Sequence, residues 1–88
     1  MSNAMHLLAD GTETVIRPEN GKDFTLKEAQ SYVGGYVEVV STRPDLGFIL
    51  LVNEDGYLIG ERPNDIASKI AGQLIVGDAV YCPANMFV

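Results

Sequence analysis

Polar side chains that could bind a partner or a ligand are concentrated between residues 53 and 65, a segment that we call the 53–65 edge. Its carboxylates and amides could contact a protein or a cation, and Arg62 could hold an anion near the free amides that begin a second helix. The same residue types also form turns and helix caps, so a structural role is the stronger interpretation. The candidate interaction or ligand residues are Asn53, Glu54, Arg62 and Asn64.

The chain has one histidine and one cysteine, and neither is placed for chemistry. His6 has no second His or Cys near it in the sequence, which favours a surface or edge-strand residue over a metal ligand or base. Cys82 lies in an apolar run without a CxxC partner, which predicts an inert buried thiol. Phosphate-loop and nucleophile-elbow patterns are absent. We therefore expect a non-enzymatic protein without cofactor or metal; a hydrolase using Glu54 or Asp55 is the remaining enzymatic alternative.

Length and charge limit the classes of function further. The 88 residues fit one domain, and residues 1–4, which precede a second methionine, resemble an expression-tag remnant, so we assign the domain to residues 5–88. A net charge of −6 repels nucleic-acid phosphates and suits a partner with a basic surface. No signal peptide is evident, and the longest apolar run is far short of the ~20 residues of a membrane span. We expect a cytoplasmic protein that binds neither nucleic acid nor membrane.

The elements that must position these residues begin with a capped helix. Thr25 and Glu28 have the spacing of a capping box, which predicts a helix over residues 26–33. Gly34 and Gly35 can take φ > 0, end the helix and reverse the chain into a strand. In that strand, over residues 36–42, Val37 and Val39 share the expected core face.

The next strands follow from an apolar run and from turn signals. Residues 48–52 are apolar at every position, as in a strand that is covered on both faces, and with the preceding strand they form the expected centre of the sheet. A turn at residues 54–56 leads to a short strand at 57–59, which completes a meander. A hairpin at the start of the chain has its turn at Asp10-Gly11.

A second helix is predicted over residues 65–71, with Asn64 as its cap. Strands at 73–76 and 79–82 follow, divided by Gly77-Asp78. The fold class is therefore α+β, a mainly antiparallel sheet in the order β-β-α-β-β-β-α-β(-β), with two short helices packed on one face or at one end of the sheet. In that arrangement the other face of residues 48–52 needs a cover, which either a sheet that curls toward a barrel or a second copy in a homodimer would supply.

Aromatic residues offer a second candidate surface. Tyrosine is common at protein interfaces because a rigid apolar ring carries a polar tip. Tyr36 and Tyr57 lie on the less covered face of the predicted sheet and are the candidate interface aromatics.

The order of several short motifs resembles that of a known family. Gly34-Gly35-Tyr36 at a strand entry, then Asn53-Glu54-Asp55-Gly56, then Pro63-Asn64 and Ala71-Gly72 resemble the bacterial and phage family catalogued as domain of unknown function 3846. The resemblance covers most of the chain and implies a phage or mobile-element context but no reaction; relatives often carry more chain after the Pro-Asn pair. The leading hypothesis is a small acidic interaction module for a host or self protein. The alternative is a small-ligand or nucleotide-binding module that uses the 53–65 edge.

Overall fold

The structure is a computed structural model that describes residues 4–43, 47–56 and 60–87. The elements are β1 (Ala4–Leu7), β2 (Glu13–Ile16), α1 (Leu26–Val33), β3 (Val37–Arg43), β4 (Phe48–Asn53), α2 (Asp65–Ala71), β5 (Ala79–Pro83) and a 3-10 turn (Ala84–Met86). They confirm the α+β class and the predicted order of helices and strands. The strand expected at 57–59, and Tyr57 with it, lies outside the described residues.

The five described strands form one antiparallel sheet in the order β2-β1-β5-β4-β3. β5 is its central strand and pairs with both β1 and β4. The prediction that β3 and β4 form the centre is therefore wrong for β3, which lies at the edge of the sheet. Residues 73–76 contribute an isolated bridge from Val76 to Pro63 instead of the expected strand.

The two helices pack on opposite faces of the sheet, and the expectation that they share one face or one end is wrong. On one face, Leu51 and Val80 pack with Ala29 of α1. On the other, Leu50 and Ala67 of α2 belong to a second buried cluster. We call these the α1 face and the α2 face. Because β4 is apolar on both sides, each side requires a cover, and the chain supplies both.

Residues at the start of the chain take part in the sheet. Ala4, which falls in the expected tag remnant, is buried, pairs with Ile16 and packs in the cluster on the α1 face. The assignment of residues 1–4 to a tag remnant stays a prediction.

Among the described residues, no helix is long and apolar enough to cross a membrane.

Helix α1 begins and ends as its sequence predicts. The Thr25 hydroxyl accepts a hydrogen bond from the Glu28 N–H, and the Glu28 carboxylate accepts from the Thr25 N–H at 2.9 Å. The same carboxylate accepts from the Glu19 N–H, and these hydrogen bonds lower the pKa of Glu28. Gly34 ends the helix with φ at 82°, and its N–H donates to the carbonyl of Gln30. The capping box therefore also holds the loop before α1.

We expect Thr25→Ala to lower the free energy of unfolding by about 1 kcal/mol, since a cap acceptor is lost. Urea denaturation at pH 7 measures this change, and Lys27→Ala on the exposed side of α1 is the control. The pKa of Glu28 is lower in the folded state than its ordinary value of 4.5. The ionised Glu28 carboxylate therefore contributes to the free energy of unfolding above pH 4.5, and this contribution is lost as pH falls through the lowered pKa. A Thr25→Ala loss no larger than that of Lys27→Ala would contradict the capping role.

Candidate functional site

Asn53, the first candidate residue, is buried at the end of β4. Its Nδ2 donates to the carbonyl of Val33 at 3.3 Å, and its Oδ1 accepts from the Asp55 N–H at 2.8 Å. The side chain therefore connects the last residue of α1 to the turn that follows β4. Both of these side-chain groups are used within the fold.

Close packing against Asn53 explains the second of the two adjacent glycines. Gly34 takes the left-handed conformation, whereas Gly35 does not. A Cβ atom on Gly35 would lie 2.9 Å from Asn53 Nδ2, a distance that real Cβ atoms essentially never show. A Cβ atom at position 35 would therefore displace the Asn53 amide, so it is lack of space rather than the φ angle that favours glycine here, a role that local sequence patterns do not reveal.

Asn64 is the most completely bonded polar side chain of the 53–65 edge. It is 1% exposed, and its Oδ1 accepts from the Ala67 N–H at 3.1 Å, as the predicted helix cap requires. Its Nδ2 also donates to the carbonyls of Leu7 and Gly77, each at 2.9 Å. With both donor hydrogens and the acceptor engaged, Asn64 has no group directed at a ligand.

Glu54 and Arg62 are exposed, but they belong to different surroundings. The Glu54 N–H donates to the carbonyl of Tyr36 at 2.8 Å, which places Glu54 beside the start of β3. Arg62 interacts with Asp10 in the β1–β2 turn, where hydrogen bonds from Thr12 lower the pKa of Asp10 and the charge of Arg62 contributes further. The anion site expected from Arg62 and the start of α2 stays a prediction.

The exposed apolar residues identify β3 as the more distinctive surface. Tyr36, at the entry to β3, is 66% exposed, and Val39 in the strand is 48% exposed. Val37 packs on the α1 face as expected, but α1 leaves Val39 uncovered, so its assignment to the core was wrong. The structure thus brings the candidates Tyr36 and Glu54 together at the start of β3. Val39, which sequence analysis did not identify as a surface residue, is exposed further along the same strand.

A groove of about 150 Å³ lies beside β3 on the α2 face. Val40 and Val52 lie on the sheet side, Leu74 and Ile75 form the opposite wall, and Glu38 also lines it. We call this the β3 groove. The wall is fixed because the Ser68 hydroxyl accepts from the N–H of Ile75 at 2.8 Å. Strand alternation places Glu38 and Val40 on one face, but the groove could not be foreseen, since its wall is formed by residues more than 30 positions later in the chain.

The two residues with reactive side chains are structural. His6 contacts the carbonyl of Tyr32 through Nε2 at 3.0 Å and lies edge-on to its ring. It belongs to β1, an interior strand, so the edge-strand expectation is wrong. Cys82 is a buried free thiol, as predicted, and burial raises its pKa to about 11. Residues 4–43, 47–56 and 60–87 contain no group of three or more His, Cys, Asp or Glu that could hold a metal ion.

Comparison with known proteins gives a match to one family model. The family is described as "Domain of unknown function (DUF3846)", and its model matches residues 5–86. Neither the curated proteins nor the solved structures contain a match to the chain.

We expect Asn64→Ala to lower the free energy of unfolding by about 2–4 kcal/mol, because two buried carbonyls and one amide lose their partner. Urea denaturation measures the change. Asn20→Ala is the matched control, since Asn20 also makes three hydrogen bonds but is exposed, and it should cost less than about 1 kcal/mol. Asn64→Asp keeps the cap acceptor but loses both donors. Wild-type stability of this variant would contradict the contribution of the two carbonyl contacts.

The pKa of Cys82 gives a prediction at alkaline pH. Its value is about 11 in the folded protein against an ordinary 9.0, so its contribution to stability is fully present below pH 9 and is lost as pH rises through 11. The loss is at most about 1.4 kcal/mol per pH unit within that window. Urea denaturation from pH 8 to 11 should show a smaller decline for Cys82→Ala than for the wild type. Equal declines would contradict a shifted thiol pKa.

Proposed function

We propose that this chain, which belongs to the family described as "Domain of unknown function (DUF3846)", is a small acidic protein-interaction module without enzymatic activity. The observation that carries the proposal is the edge strand β3, with Tyr36 exposed at its entry, Val39 exposed on it and the β3 groove beside it. An edge strand with apolar side chains offers both backbone hydrogen-bonding groups and contact area to another protein. The phage or mobile-element context and a cytoplasmic location remain predictions.

The contrast between the two edges of the sheet supports this choice of surface. β2, the other edge strand, has only four residues, and Glu13, Thr14 and Val15 on it are exposed. β3 has seven residues and carries three valines. Proteins usually keep edge strands short or charged to avoid unwanted pairing. A long valine-rich edge is therefore a feature that a binding role accounts for.

The second face of residues 48–52, whose exposure would favour a homodimer, is covered in the folded protein. The α2 face of β4 already contributes Leu50 and Val52 to a buried cluster with Ala67. A self-complex would therefore form at β3 rather than over the centre of the sheet, and a different protein remains the proposed partner.

Site-specific photo-crosslinking tests the proposal. Benzoylphenylalanine replaces Tyr36 on β3 in one variant and Val15, an exposed residue of β2, in the control. After irradiation in cell lysate, we expect a discrete adduct from position 36 that excess unlabelled protein suppresses, and none from position 15. Light scattering of the purified protein identifies an adduct with a second copy. Absence of a specific adduct at position 36, in a protein that stays monomeric, would contradict the proposal.

A further inference from the structure

We infer that the outer edge of β3 binds an extended segment of another protein in which apolar and basic residues alternate, and that this segment adds to the sheet as a further strand. The inference rests on the proposed function and names the class of partner. Strand addition supplies affinity through backbone hydrogen bonds and specificity through alternate side chains. The backbone, the side chains and the charge of β3 each support it.

The backbone of β3 points hydrogen-bonding groups away from the sheet at alternate residues. Tyr36 and Glu54 lie opposite one another, and the Glu54 N–H donates to the Tyr36 carbonyl. In an antiparallel ladder, bonded and non-bonded pairs alternate. The bonded pairs along this ladder are therefore Glu38 with Val52 and Val40 with Leu50, given the observed register. Val37 and Val39 consequently direct their N–H and C=O groups outward, and within the described residues no strand lies beyond them.

The side chains of β3 define what an added strand would meet on each face. On the α1 face it would lie beside the exposed Val39, which favours an apolar residue. On the α2 face it would lie beside Glu38 and Val40 at the β3 groove. Basic side chains on this face complement the carboxylate of Glu38 and can pack their aliphatic stems beside Val40. Apolar residues on the α1 face that alternate with basic residues on the α2 face are thus the favoured pattern.

Charge favours a basic segment over a second copy of this chain. The β3 groove is lined by the carboxylates of Glu38 and Glu54, and its described lining contains no Lys or Arg. Each copy of the chain carries a net charge of −6, so two copies repel one another, whereas a basic segment is attracted. The edge backbone and the acidic groove therefore point to the same partner.

Fluorescence anisotropy with a labelled eight-residue peptide of alternating lysine and valine tests this inference. We expect saturable binding, and no binding by the peptide with glutamate in place of lysine. NMR amide shifts of the protein should be largest at Val37 and Val39. N-methyl groups on alternate residues remove every second backbone donor of the peptide, and there are two such methylated peptides, one for each set of alternate residues. We expect at least one of them to bind more than tenfold more weakly than the unmethylated peptide, because it cannot complete the backbone ladder. This comparison requires no change in the protein.

Three variants locate the binding edge. Val39→Pro removes an outward N–H and keeps the ladder to β4, so it should weaken binding at least tenfold in a folded protein, as circular dichroism verifies. Glu38→Lys should also weaken binding, whereas Glu13→Lys makes the same charge change on β2 and should leave Kd within about twofold. Equal weakening by Glu38→Lys and Glu13→Lys would show general charge attraction and overturn the inference.

Failure of this inference can be distinguished from failure of the proposed function. A specific crosslink at position 36 would support the interaction function by itself. If, in that case, the peptide does not bind, or both N-methylated forms bind as tightly as the unmethylated peptide, β3 contacts proteins by another mode and strand addition is overturned. A second copy of the chain would be the occupant of the β3 edge if the protein forms a dimer, Val39→Pro abolishes that dimer, and the protein does not bind the peptide. That result would also overturn the inference while the interaction function stands.

Discussion

The side chain of Asn64 is the constraint on which the arrangement of the second helix depends. One amide group caps α2, bonds to the end of β1 and bonds to the turn before β5, so three parts of the chain converge on it. The packing of α2 covers Leu50 and Val52, which would otherwise leave an apolar face of β4 in water. The cap and the two carbonyl contacts of Asn64 fix the position of α2 over this face. The buried amide therefore determines which part of the sheet remains open for contact.

The part of the sheet that remains exposed is at β3, because neither helix covers this edge strand completely. Helix α1 packs near Val37 but leaves Val39 half exposed, and α2 with residues 74–75 leaves the β3 groove. Both openings are at the same edge strand. The candidates Asn53 and Asn64 hold this framework, whereas Glu54 and Tyr36 lie on its surface. Stability and the proposed binding are thus assigned to different residues that stand close together in the sequence.

Local signals in the sequence predicted local structure well. The capping box at Thr25 and Glu28, the left-handed Gly34 and the cap at Asn64 depend on residues within a few positions, and all three are confirmed. The position of β5 between β1 and β4 could not be predicted, because pairing between distant strands has no local signature. The same limit applies to the site: the contacts of Asn64 with Leu7 and Gly77 are non-local, and so is the close approach of Gly35 to Asn53. Apolarity on both faces of residues 48–52 did indicate two covers, although not that the chain itself supplies them.

The strand order also has a consequence for how the chain acquires its structure during synthesis. The hairpin β1–β2 and the hairpin β3–β4 share no ladder, and each pairs with β5, the last of the described strands. Before β5 has been synthesised, the edges of β1 and β4 that pair with it therefore have no partner strand among the described residues. Such edges are sites of association with other chains. The ladders of the five described strands join into one sheet only through β5, so we expect aggregation of the nascent chain to compete with folding until that strand has been synthesised.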